Sequence, residues 1–195
     1  MNTNSGSVKR IAIFASGSGT NAQRITEYFA NHPSIKIELI LSNNQNAYVL
    51  ERAKKLNVTS KVFNREELKS NTGVVSLLKE KKIDLIVLAG FLWLIPSSLI
   101  AAFSKKIINI HPALLPKYGG KNMYGMKVHE AVIAAGEIES GITIHFVDEL
   151  FDHGKIIFQA KCSIHEKDTA EILANKIHAL EYAHFPKVIE RLLQE

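Results

Sequence analysis

The chain has 195 residues, 46% of them hydrophobic and 22% charged, a composition that supports one buried core and excludes a disordered or low-complexity chain. A net charge of +5 and a pI near 9.2 favour anionic partners, but the lysines come in short scattered runs such as Lys54-Lys55, Lys81-Lys82 and Lys105-Lys106, so no nucleic-acid surface is expected. Cys162 is the only cysteine, which excludes an intramolecular disulfide, and neither a signal-peptide core nor a run of ~18 apolar residues is present, so the expected setting is cytoplasmic with no membrane partner.

After a polar tail over residues 1–8, Arg10 to Ala15 has the apolar continuity of a strand buried on both faces. It ends in S-G-S-G, and Thr20 to Ala30 has helical spacing, with Ile25, Tyr28 and Phe29 on one face. Ile35 to Leu41 reads as a strand, Ala47 to Leu56 as a helix, and Thr59 to Phe63 as a brief strand. Arg65 to Lys82 is predicted as one helix, although Asn71 and Gly73 weaken its middle. Ile83 to Ala89 is strongly strand-like; Pro96 suits the first turn of a helix reaching Phe103; Lys106 to Ile110 is the next strand. Short connections between alternating strands and helices predict an α/β fold, a doubly wound, mostly parallel twisted sheet of Rossmann-like type.

The last third differs. Gly141 to Val147 and Lys155 to Cys162 are successive strands with no helix between them, which predicts a late antiparallel element. A helix follows to the C-terminus, with Asp168 as N-cap and Glu171 completing a capping box. Residues 9–195 are expected to form a single domain whose functional loops sit at the carboxyl ends of the strands.

Four stretches carry candidate chemistry. S-G-S-G-T-N, Ser16 to Asn21, joins a strand to a helix start, where close backbone N–H groups and the helix dipole suit an anion. Gly17, Gly19 and Ala22 loosely match a dinucleotide fingerprint. That reading also needs an acid about 20 residues on, and the second strand ends instead in Leu41-Ser42-Asn43-Asn44. Thr20 and Asn21 are better suited to a terminal monophosphate; a simple tight turn is the bland alternative.

In N-I-H-P-A-L-L-P-K-Y-G-G, Asn109 and His111 lie two apart on an extended segment and so point the same way, with Pro112 disfavouring helical angles at His111. Of the other histidines, His129 and His178 fall in helical runs and His145 in a strand, and these read as structural or solvated on spacing alone. D-E-L-F-D-H-G, Asp148 to Gly154, is an acidic connection long enough to fold over a pocket, or an ordinary exposed hairpin. A-G-F-L-W-L-I-P, Ala89 to Pro96, stays apolar past a strand end, as core or as a slot for a flat ring. No C-x-x-C or ligand-like histidine cluster is present, so no metal is expected.

Together F-A-S-G-S-G-T-N, I-V-L-A-G-F-L, N-I-H-P-A-L-L-P-K-Y-G-G, H-F-V-D-E-L-F-D-H-G and E-Y-A-H-F-P resemble the folate-dependent formyltransferase family, in particular its phosphoribosylglycinamide formyltransferases, over about Lys9 to Leu193. The resemblance implies formyl transfer from 10-formyltetrahydrofolate to the amine of glycinamide ribonucleotide in purine biosynthesis. Asn109, His111 and Asp152 match the catalytic trio, with a protonated His111 and Asn109 stabilising a tetrahedral oxyanion and Asp152 raising the imidazole pKa. Gly19, Thr20, Asn21, His178 and Glu181 match ribonucleotide contacts. Leu92, Trp93, Leu94 and Ile95 match the pterin wall, Asp148, Glu149, Leu150, Phe151 and Asp152 the loop over it, with Asn109 alongside, and Arg65 an arginine near the folate tail.

The sequence departs from the family pattern at Trp93, where arginine is common, at Gly119, where proline is common, and at K-N-M-Y-G, which replaces a His-rich stretch. The adjacent glycines suggest that Lys117 to Gly125 is a movable lid. The expected partners are small molecules alone, and the expected assembly is a monomer or weak homodimer. A methionyl-tRNA formyltransferase would be expected to carry a second, basic domain, and a formyltetrahydrofolate hydrolase an extra N-terminal domain. A binding-only phosphate module remains the alternative from another functional class.

Overall fold

A computed structural model describes residues 7–195; residues 1–6 of the expected polar tail lie outside the described residues. Seven strands form one sheet: β1 (Lys9–Phe14), β2 (Ile35–Ser42), β3 (Ser60–Val62), β4 (Leu85–Leu88), β5 (Ile107–His111), β6 (Glu139–Phe146) and β7 (Ile156–Ser163). The helices are α1 (Thr20–Tyr28), α2 (Tyr48–Lys55), α3 (Arg65–Lys69), α4 (Val74–Glu80), α5 (Ser97–Ala102), α6 (Met126–Ala134) and α7 (Ala170–Gln194). The strand order is β3-β2-β1-β4-β5-β6-β7; the first five run parallel, and β6 and β7 are antiparallel to their neighbours.

The period of two along each strand divides the interior. Ile11, Ile13, Val87, Ile108 and Ile144 face a core completed by Ile25 of α1, Val49 of α2, Val132 of α6 and Ile177 and Phe185 of α7. Ala12, Phe14, Leu39, Ile86 and Ile107 face the other way, onto Leu68 of α3, Val75 and Leu78 of α4 and Leu99 of α5. Helices therefore cover both faces, as a doubly wound sheet requires. Asn109 and His111 share the parity of Ile107, but there they meet loops instead of a helix.

Some local expectations are corrected. The helix expected over 65–82 is two. Asn64 caps α3 in a reciprocal box with Glu67 (2.9 Å each way), and Ser70 and Thr72 then bond to each other (2.8 Å). Gly73 packs so tightly on the Glu67 carbonyl that any Cβ would overlap it. Tyr28 turns outward and donates to Glu190 (2.6 Å), leaving Ile25 on α1 and Phe29 at its C-cap as the buried members of the expected face. Pro96 is the residue before α5, its extended angles starting the helix at Ser97. The N-cap of α7 is Thr169, which accepts from the Ile172 amide; Asp168 instead accepts from the His165 amide (2.9 Å) and pairs with Lys176.

Candidate active site

The loop after β1 turns through Gly19, whose φ of 73° starts α1 with no side-chain cap. A Cβ at that position would also run into the Val49 side chain, so two constraints select glycine. The first amides of α1 lack intrahelical partners and, with the positive end of the dipole, have the donor character that suits an anion. Arg52 braces the loop by donating to the Ser18 carbonyl (2.7 Å), and the Ser16 hydroxyl donates to Asn43 (2.7 Å) while accepting from the Leu92 amide (3.0 Å). Those last bonds tie the glycine turn to the loop after β4.

Behind the turn stands α7, which packs on both α1 and α6. Glu181, 6% exposed, accepts from Asn21 Nδ2 (2.8 Å), and burial pushes its carboxyl up to about 7 against the opposing pull of that bond. His178 lies one helical turn earlier and faces the same cavity.

Asn109, His111 and Asp152 come together although the aspartate lies far along the chain. Asn109 Nδ2 donates to Asp152 Oδ1 (3.3 Å), His111 Nδ1 lies 3.4 Å from Asp152 Oδ2, and the Gly120 amide donates to that oxygen (2.9 Å). Asp152 adopts φ 57°, a left-handed geometry that aspartate tolerates better than most residues. Burial raises its carboxyl pKa, but contacts with His145, His111 and the Gly120 amide outweigh that and hold it below the usual carboxylate range.

For His111, the expectation of a raised pKa is corrected. The ring is 3% exposed, and burial lowers its pKa more than Asp152 and the Tyr118 carbonyl raise it. The neutral ring donates its Nε2–H to the Tyr118 carbonyl (2.7 Å) and turns the Nδ1 lone pair towards Asp152. A proton arriving at Nδ1 is met by that carboxylate.

His145 is the residue that sequence reasoning missed. It pairs directly across from Asn109 in the antiparallel β5–β6 ladder, so both side chains project from one face. Only 2% exposed, it donates Nδ1–H to the Phe146 carbonyl (2.8 Å), which leaves Nε2 to accept from Asn109 Nδ2 (3.1 Å). A bulge in β7 between the partners of Ile144 and His145 lies beside the site. The signal lay in strand pairing, which local spacing does not reveal.

These groups line one cavity of about 670 Å³. Leu92, Trp93, Leu94 and Ile95 form its apolar wall, and Arg65 places its guanidinium 4.4 Å from the centre of the Trp93 ring. Leu150, Phe151 and Asp152 line it too, as do Gly120 to Gly125. Asp148 and Glu149 do not. Asp148 is turned back into its own loop, accepting from the Leu150 amide (2.9 Å) and contacting His153 (3.1 Å), and Glu149 is exposed. Among the described residues no three His, Cys, Asp or Glu side chains are grouped to hold a metal ion, and no helix is long and apolar enough to cross a membrane.

The formyl transferase family profile matches residues 9–189. A phosphoribosylglycinamide formyltransferase of Haemophilus influenzae is 38% identical, the match covering 94% of this chain and 86% of that protein. A chloroplastic phosphoribosylglycinamide formyltransferase of Arabidopsis thaliana is 36% identical over 96% of this chain, which spans 66% of that relative's length. The crystal structure of the Bacillus halodurans phosphoribosylglycinamide formyltransferase superposes with a TM-score of 0.85 at 39% identity, covering 96% of both chains. With its fold, its glycine turn and its polar cluster in one cavity, the chain belongs to the formyl transferase family.

Proposed function

We propose that the protein transfers the formyl group of 10-formyltetrahydrofolate to the amine of 5-phosphoribosylglycinamide in purine biosynthesis. The observation carrying this reading is the convergence of Asn109, His111 and Asp152 in the same cavity as the Gly19–Asn21 anion turn. The turn holds the phosphate, with Glu181 and His178 beside it on the ribose side. Leu92, Trp93, Leu94, Ile95, Leu150 and Phe151 receive the flat folate ring, and Arg65 faces its acidic tail.

The folate supplies an activated formyl carbon. Asn109 and His111 stabilise the oxygen that becomes negative when the amine attacks, the kind of electrostatic aid that is often the largest catalytic contribution. Both Asn109 amide hydrogens and the His111 Nε2–H have protein acceptors in the structure. Substrate oxygen must therefore compete with them, and movement of the 117–125 segment would release the His111 donor from Tyr118. The His111–Asp152 pair takes the proton lost by the attacking amine, through water where needed, and returns it to the departing folate nitrogen. The amine gains the C–N bond as the formyl carbon loses its bond to folate, with no covalent enzyme intermediate.

The same proposal takes residues 9–195 as one catalytic unit in the cytoplasm, a monomer or weak homodimer acting on small molecules. The test is a spectrophotometric assay with 10-formyl folate and glycinamide ribonucleotide, run beside initiator methionyl-tRNA as acceptor. Asp152→Asn and His111→Ala are each expected to lower kcat by about 10²-fold or more with little change in KM. Turnover only with the tRNA acceptor, or intact kcat in both variants, rejects the reading.

A further inference from the structure

Two fully buried side-chain atoms of cavity-lining residues have no partner among the described residues: Asn21 Oδ1 in the Gly19–Asn21 turn and Nδ1 of His129 on α6. His129 is 4% exposed, so water does not simply solvate it. Buried polar groups are nearly always paired, and an orphan on a ring that lines a cavity marks a residue whose bonding something else completes. His129 belongs to neither the catalytic trio nor the apolar wall.

Its surroundings indicate which end of the substrate it meets. Helix α7 packs on α1 and α6 at once, and carries Glu181 bonded to Asn21 and, one turn earlier, His178. His178 and His111 are both close enough to disfavour a charge on His129, and these repulsions add to burial in pushing its pKa down to about 4. At neutral pH the ring is therefore uncharged, with one N–H to give. A simple core histidine would have that N–H satisfied by a protein acceptor.

Resting on the function proposed above, we propose that His129 is a positioning residue for the sugar-phosphate end of the substrate, its imidazole bonding the ribosyl phosphate held by the Gly19–Asn21 turn. Thr20 and Asn21 approach the phosphate from α1, His178 and Glu181 bound the ribose side from α7, and His129 closes the remaining side from α6. The chemical class recognised is a ribose 5-phosphate monoester.

The experiment compares wild type, His129→Phe and His129→Gln by calorimetric titration with ribose 5-phosphate, glycinamide ribonucleotide and its unphosphorylated nucleoside, and by steady-state kinetics. For His129→Phe the expected result is an affinity about 5- to 50-fold weaker for both phosphorylated ligands, an unchanged affinity for the nucleoside, and kcat within about threefold of wild type. The KM for the formyl folate is expected to stay unchanged. Glutamine restores a donor and is expected to recover part of the lost affinity, which also keeps the test valid if the phenylalanine variant does not fold. Wild-type affinity for ribose 5-phosphate in both variants overturns the inference, as does an equal rise in KM for both substrates, the mark of a purely structural role. Failure of wild type itself to turn over glycinamide ribonucleotide instead rejects the function on which the inference rests.

Discussion

Replacing Glu181 by glutamine should make the protein more stable and worse at its task. The residue is 6% exposed, with the Asn21 amide at 2.8 Å its single hydrogen-bond partner among the described residues, and burial pushes its pKa up to about 7. An unfolded glutamate titrates near 4.3, and each unit of difference is worth about 1.4 kcal/mol, so ionised Glu181 weakens the fold by about 4 kcal/mol. The sign follows from proton binding. Between pH ~4.3 and ~7 the folded chain holds the proton that the unfolded chain has lost, so this residue lowers stability as pH rises through that window.

Glutamine keeps the acceptor for Asn21 and removes the charge. Allowing for the buried amide's own desolvation, the gain is about 1–3 kcal/mol at pH 8, roughly 2–10 °C in Tm, and falls below about 1 kcal/mol at pH 5. Urea melts of both proteins at the two pH values give the number. The difference between proteins is the proper readout, because His129 opposes the trend: its folded pKa of about 4 makes wild type lose stability as pH falls from about 6.5. No gain at pH 8, or an equal gain at pH 5, would refute the reasoning. The same variant is expected to bind the ribonucleotide more weakly.

Other expectations are more local. His145→Phe removes the acceptor that orients the Asn109 amide, and kcat should fall about 10- to 100-fold with folate KM little changed; an unaltered kcat would reduce His145 to packing. Trp93→Ala removes the ring under Arg65, and a cation–π contact of about 0.5–1 kcal/mol corresponds to a two- to fivefold rise in folate KM, with ribonucleotide KM unchanged as the control. Gly19→Ala places a side chain at φ 73° against Val49 and is expected to cost about 1–3 kcal/mol in a urea melt as well as weakening phosphate binding; an undisturbed midpoint would show that the loop has room.

What could be read from residue order alone was whatever depends on neighbours in the chain. Ile11 to Phe14 is apolar at consecutive positions because both faces of β1 are covered, and Asn109 and His111 share a side because a strand repeats every two residues. His145 depends on which residue of β6 lies across from Asn109, a matter of register between segments with a helix and long loops between them. The lowered His111 pKa depends on how much water the folded cavity removes, and Asp152 as a neighbour gave only the opposing part of that balance. Asp148 and Glu149 resemble Asp152 in composition, yet a local turn captures the first and solvent the second. The split between α3 and α4 was foreshadowed by Asn71 and Gly73, whose low helix propensity prevails where Gly73 packs on Glu67.

Trp93 is the only indole in the chain, and it stands in the cavity wall between Arg65 and the rings of Phe63 and Phe91. Light absorbed at the red edge of the aromatic band is therefore emitted from one spot, beside the place where a flat ring would dock. A ligand seated there would change the colour and yield of that emission directly. The protein thus carries an unlabelled optical gauge of whatever docks against that wall.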